Sequence, residues 1–181
     1  MIKVITGPMF SGKSDELLDE YNKKYHKSKI LLFKPFIDTR DYGIIKTRCN
    51  KEVKAILIKD LKDIKKYLNK KITTIFIDEA NLLTGNVQIL LDLSIKKDID
   101  IFIAGLNQTS EQEPFGIMPE ILAVADQIVT KKASCNDCNR DAIYSYYDGK
   151  KVKTVLVGNE NYIALCSNCL KKRKSKNGRQ K

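Results

Sequence analysis

The chain has 181 residues, 43% of them hydrophobic, with nine glycines and four prolines. This composition excludes the disordered and fibrous classes, and the length excludes two large domains with independent cores. The formal charge is +11, but seven of the 33 Lys and Arg fall in the last eleven residues, "KKRKSKNGRQK"; without them 26 basic residues face 22 acidic ones. The excess therefore reads as a solvated, poorly ordered basic tail over residues 171–181, and not as a nucleic-acid surface. No apolar run approaches the ~20 residues of a membrane span. The first apolar run enters a phosphate motif too early for a secretory leader, so the expectation is a cytoplasmic protein with no membrane partner.

In chain order, "IKVIT" (residues 2–6) is a short apolar run that fits a buried parallel strand. From Lys13 to Tyr25, Leu17, Leu18, Tyr21 and Tyr25 recur at helical spacing. "KILLFK" (residues 29–34) predicts a second strand, and residues 35–49 carry no period and read as a loop. "LKDIKKYL" (residues 61–68) predicts a short amphipathic helix, and "ITTIFID" (residues 72–78) a strand ending in acid. "VQILLDLSIKK" is a helix candidate, "IDIFIAGL" (residues 99–106) a fourth strand, and residues 107–119 a loop. A helical turn over residues 120–126 then leads into a strand at residues 127–130. Strands alternating with helices of this length predict an α/β fold with a parallel sheet covered on both faces. In "IYSYYDGKKVKTVLV", Asp-Gly divides two β-prone arms in the manner of a hairpin. The expected organisation is a P-loop-type α/β domain over residues 1–131, a small zinc-ribbon-like β domain over 132–170, and the tail.

Between the first strand and the first helix, Gly7-Pro8-Met9-Phe10-Ser11-Gly12-Lys13-Ser14 fits the phosphate-binding template G-x-x-x-x-G-K-[ST]. The glycines let backbone N–H groups turn inward around an anion, and the helix N-terminus adds its partial positive charge. Lys13 is expected to neutralise the β- and γ-phosphates of ATP, and Ser14 to ligate Mg²⁺. Asp78, delivered by an apolar strand, fits the acid that holds Mg²⁺ in P-loop enzymes. Its alternative is a simple helix-capping acid. The single histidine, His26, belongs to an exposed helix end, so a general base is expected from a carboxylate, which points to Glu79. Arg40, in the loop after the second strand, can reach phosphate oxygens as a bidentate donor.

Cys135-x-x-Cys138 and Cys166-x-x-Cys169 supply the four thiolates of a structural Zn²⁺ site, with redox or unligated thiols as the alternative. Four thiolates fill the tetrahedron, which argues against a catalytic metal. Cys49 stands apart and reads as unligated.

Together, "GPMFSGKS", "FKPFIDTR", "IDEAN", "AGL" followed by "EPFG", "MPEILAVADQIV" and the two cysteine pairs resemble the zinc-containing, cytosolic (type II) thymidine kinases over about residues 2–170. The resemblance implies transfer of the ATP γ-phosphate to the 5′-hydroxyl of thymidine, with Mg²⁺, in a homotetramer. It implies that Asp38, Thr39 and Arg40 line the phosphate site together with residues 7–14, Asp78 and Asn81, and that Lys13, Arg40 and Glu79 act in the transfer, Glu79 as base. It implies a nucleoside site from Met9, Glu79, Ser110, Phe115 and Tyr162, closed by a loop of Lys153, Thr154, Val155, Leu156 and Val157. The chain departs from the family's pattern at Asn81, Asn107, Ser110 and Gln112. Two alternatives follow: a deoxynucleoside kinase of different base choice, and a P-loop ATPase or zinc-bearing nucleic-acid binder.

Overall fold

The computed structural model describes residues 1–25, 29–40, 43–46, 52–149, 158 and 160–178, without the side chains of 176–178. Strand β1 (Ile2–Thr6) leads to helix α1 (Lys13–Tyr25) and β2 (Ile30–Pro35); β3 (Ile44–Lys46) and β4 (Glu52–Lys54) form a separate antiparallel pair. Then β5 (Ile56–Ile58), β6 (Thr74–Ile77), β7 (Asp100–Gly105) and β8 (Gln127–Thr130) complete a six-stranded sheet of order β5-β2-β6-β7-β1-β8, with every neighbouring pair parallel.

The continuous apolar runs are explained by burial on both faces. Along β6 and β7, Ile75, Ile77, Ile101 and Ile103 point to one side and Phe76, Phe102 and Ala104 to the other. The first side packs on Leu61 and Ile64 of a 3₁₀ turn (Leu61–Tyr67), on Leu90 of α2 (Gln88–Leu91) and Leu93 of the wider turn that continues it (Asp92–Lys96). Met118 and Ile121 of α3 (Met118–Ala123) finish that layer. The second side lies under Leu17 and Leu18 of α1, and Phe76 stacks on Phe102 at 4.8 Å. This double cover leaves the carboxyl ends of the strands as the open edge where α/β sheets place ligands.

Beyond the sheet, β9 (Ala133–Ser134) pairs with β10 (Asp141–Ala142), β11 (Tyr144–Tyr147) with β12 (Tyr162–Leu165), and α4 (Ser167–Gly178) follows. Three expectations are corrected. Residues 35–49 are not all loop, because β3 lies there; with one buried residue, Ile45, it is too short to show a period. The partner of "YSYY" is β12, not an arm directly after Asp-Gly; residues 150–157 lie outside the described residues. The basic tail is helical as far as Gly178, since the charged Arg173 is tied to acids elsewhere in the lobe. His26 and Cys49 also lie outside the described residues, and no helix among those described is long and apolar enough to cross a membrane.

Candidate active site

β1 ends at Thr6, and the phosphate motif makes the turn into α1. Gly7 has φ +146°, and a Cβ there would come within 2.3 Å of the Lys131 carbonyl, so the entry to the turn has room only for glycine. Gly12 (φ +74°) and Phe10 (φ +65°) take the left-handed conformation that curls the loop. Ser11 Oγ and Lys13 Nζ both donate to the Pro8 carbonyl, at 2.8 and 2.7 Å, which keeps the lysine folded across the loop.

Asp78 and Glu79 follow β6. Ser14 Oγ donates to Asp78 Oδ1 at 3.1 Å, so the metal-site pair expected from the sequence meets at the mouth of the P-loop. Burial, and then the charge of Glu79, raise the Asp78 carboxyl above its ordinary range. A divalent cation would supply the positive charge this acid needs, and a hydroxyl beside a carboxylate suits the hard oxygen coordination of Mg²⁺.

Glu79 sits in a left-handed conformation (φ 50°, ψ 40°), an uncommon one for a non-glycine residue. Arg40 Nη2 donates to Glu79 Oε1 at 2.8 Å, so the carboxylate expected to act as base is ion-paired. The same guanidinium grips Asp38 in a fork, Nε to Oδ1 and Nη2 to Oδ2, both at 2.7 Å. Beneath them Lys34 Nζ lies 3.1 Å from Asp38 Oδ2; the two side chains are 4% and 0% exposed. Burial alone would raise the Asp38 carboxyl, but the hydrogen bond and charge of Arg40, then Lys34, hold it below its ordinary value. Lys34 is the residue that sequence reasoning passed over. A lysine closing the apolar run "ILLFK", four residues before an aspartate, was the available signal. Thr39 is exposed at the rim.

On the other flank, Asn81 is 3% exposed and its Oδ1 accepts the Leu106 N–H at 2.9 Å, which makes it a tether for the following loop and not an open ligand. Gly116 closes against the same residue: a Cβ there would fall 2.4 Å from the Asn81 carbonyl. That loop carries Ser110 and Phe115. Its ends are drawn together by Thr109 N–H to the Glu113 carbonyl (2.8 Å) and Phe115 N–H to the Asn107 carbonyl (3.2 Å). The Gln112 amide folds onto the Ser110 carbonyl. Tyr162 of β12 is set beside Ser110, so two residues expected in the nucleoside site do meet. Met9 meets the second lobe as well, its N–H donating to Ser145 Oγ of β11 at 2.9 Å, a contact across 136 residues that no motif foretold. The expected closing segment, Lys153 to Val157, lies outside the described residues.

The four thiols of Cys135, Cys138, Cys166 and Cys169 gather with all Sγ atoms within 4.8 Å of one another, and Cys138 and Cys166 are 3.6 Å apart. Thiolates around tetrahedral zinc at ~2.3 Å stand about 3.8 Å apart, so the cluster fits that ion with little adjustment. Arg140 Nε lies 3.5 Å from Cys138 Sγ, and its hydrogen bond lowers the pKa of that thiol, while the contact with Cys138 and then burial push Cys169 up.

An anion-cradling turn between a buried strand and a helix, with a serine bonded to an acid from another strand of the same sheet, defines a P-loop α/β protein; this one carries a four-cysteine lobe. Residues 1–170 match the thymidine kinase family, and the chain belongs to it. It is 35% identical to the thymidine kinase of Pseudothermotoga lettingae over 97% of both chains. It is 34% identical to that of Mycoplasma mobile, covering 93% of this chain and 86% of the relative, and 35% identical to that of Metamycoplasma arthritidis, covering 93% and 89%.

Proposed function

We propose that the chain transfers the γ-phosphate of ATP to the 5′-hydroxyl of thymidine, giving thymidine monophosphate and ADP. The observation that carries this reading is the Arg40–Glu79 pair at 2.8 Å, one residue from an Asp78 already bonded to Ser14 of the P-loop. It sets a base, a cation and a phosphate cradle along one edge of the sheet. The 5′-hydroxyl proton passes to Glu79 as its oxygen bonds the γ-phosphorus, and the bond to the β,γ-bridging oxygen breaks with its electron pair leaving on ADP. Lys13 leaves the Pro8 carbonyl for the β- and γ-oxygens, backbone N–H groups of residues 7–14 line the phosphates, and Arg40 shifts toward the transferred group, which uncovers Glu79. Asp38 and Thr39 complete the phosphate wall.

Ser14 and Asp78 would hold Mg²⁺, which would screen the negative charge of the phosphates during transfer. Cys135, Cys138, Cys166 and Cys169 would hold structural Zn²⁺. Met9, Ser110, Phe115, Tyr162 and residues 153–157 make the nucleoside site, with Asn81 fixing the loop that bears Ser110. Cytoplasmic location and a homotetramer belong to the same proposal and are supported by the family resemblance.

The test is ADP release with ATP and Mg²⁺ in the presence of thymidine, deoxyuridine, deoxycytidine, deoxyguanosine or no acceptor. Thymidine-dependent turnover is expected. Release without an acceptor would return the protein to the ATPases, and turnover confined to deoxycytidine or deoxyguanosine would favour the second reading, a kinase of different base choice. That reading draws on Ser110 and Gln112, whose polar contact occupies positions where the family carries an aromatic and an arginine.

A further inference from the structure

Arg173 lies on α4, beyond the span that matches the family. Its guanidinium forms a two-pronged pair with Asp137, Nε to Oδ2 at 2.8 Å and Nη2 to Oδ1 at 2.6 Å. Its remaining nitrogen, Nη1, donates to Asp148 Oδ2 at 2.8 Å, and the group lies 5.9 Å from the centre of the Tyr146 ring. The hydrogen bonds to Asp137, and then to Asp148, raise its already high pKa, so the charge is permanent.

The two acids belong to different parts of the lobe. Asp137 sits between Cys135 and Cys138, in the first knuckle of the cysteine cluster. Asp148 follows β11, and its N–H donates to the Asn161 carbonyl at 2.8 Å, which closes the β11–β12 ladder one residue before Tyr162. Tyr162 packs on Tyr147 with ring centres 5.1 Å apart and lies beside Ser110. A planar guanidinium that pairs with two carboxylates at once holds their spacing through its rigid fork, which a flexible ammonium does less firmly.

We infer that Arg173 is a positioning residue for the nucleoside side of the site: it locks the end of the β11–β12 ladder to the cysteine knuckle and so holds Tyr162 toward Ser110. The inference rests on the thymidine reading above. It also divides the basic tail, because Arg173 is bonded into the folded lobe.

The experiment uses the full chain with zinc bound and measures KM for thymidine and for ATP separately, together with zinc content. Five variants are compared with the natural chain: Arg173→Ala, Arg173→Lys, Asp148→Asn, the Arg173→Ala/Asp148→Asn double variant, and a chain ending at Ser175. Arg173→Ala is expected to raise KM for thymidine about tenfold, with KM for ATP within about twofold and zinc content unchanged. Arg173→Lys recovers only part of the loss, since it cannot reproduce the two-pronged pair with Asp137. Asp148→Asn combined with Arg173→Ala is no worse than the latter alone, as expected of residues acting through one contact. The chain ending at Ser175 behaves as the natural one. An unchanged thymidine KM in Arg173→Ala overturns the inference, as does a rise in both KM values with loss of zinc, which would mark a purely structural residue. If the natural chain itself does not phosphorylate thymidine, the functional reading fails first and the inference falls with it.

Discussion

The sheet and the cysteine lobe reach order by different means. In the sheet, Phe33, Phe76, Ile75, Ile77, Ile101 and Ile103 are all completely buried, so apolar area removed from water holds the phosphate cradle rigid. The lobe's buried cluster consists of Ala133, Ala142, Ala164, Leu165 and Leu170 beside the cysteines, and its ladders are two and four residues long. So little apolar volume does not support a free-standing fold. Its stability must come from the thiolates and from docking on the P-loop through Ser145. One region is therefore set by hydrophobic packing and the other by a few polar bonds, and each should break in its own way.

The sharpest break comes from Cys166→Ser. With one ligand gone the lobe should lose its metal, because structural zinc and the fold around it form together. Zinc analysis is expected to fall from stoichiometric to none, thymidine turnover to background, and ATP binding by titration to persist, since Gly7 to Ser14 stand on the sheet. A variant that keeps full turnover without metal would show that the lobe does not need its ion.

Next is Glu79→Gln, which leaves both regions folded. A neutral amide cannot take the hydroxyl proton, and loss of a general base lowers kcat about 100-fold or more. ATP affinity should hold or improve, because Arg40 loses a competing anion. Unchanged turnover would mean that the base is a different carboxylate.

The same contrast governs what could be read in advance. Gly7 to Ser14 are contiguous, so the motif carries its own geometry, and an acid ending a buried strand beside a P-loop pointed to the Ser14–Asp78 contact that is found. The four cysteines were legible by chemistry, since thiols in pairs two residues apart point to a metal whatever lies between. What escaped were bonds between distant segments. Lys34 becomes informative only once β2 brings it under Asp38 in a site where it is 4% exposed. Ser145 looked like an ordinary strand serine until the lobe folded against Met9. Asp-Gly promised a local turn, but β11 pairs with residues 162–165, because register follows the ladder that buries Ala164 and Leu165. Arg173 was hidden in a charge run whose composition alone says solvent.

The mildest break lies where the two modes meet, at the buried ion pair under the active site. Lys34→Met keeps the shape of the side chain and removes its charge, leaving Asp38 to its fork with Arg40. Since Asp38 is held below its ordinary value of 3.8 in the folded protein, it contributes stability that is present above that pH and lost as pH falls through the folded value. Taking away one cation raises the folded value, so the acid unfolding transition should begin at a higher pH in Lys34→Met, at a cost of about 2 kcal/mol near neutrality. The acid limb of kcat/KM for ATP should move in the same direction, because a protonated Asp38 releases one prong of Arg40. Thermal melts and rates taken in parallel from pH 4 to 8 separate the two effects. If the melts shift and the rates do not, Lys34 supports the sheet alone; if neither shifts, Arg40 carries Asp38 unaided and the buried lysine is bound mainly by the Ile44 carbonyl, 3.2 Å from its Nζ.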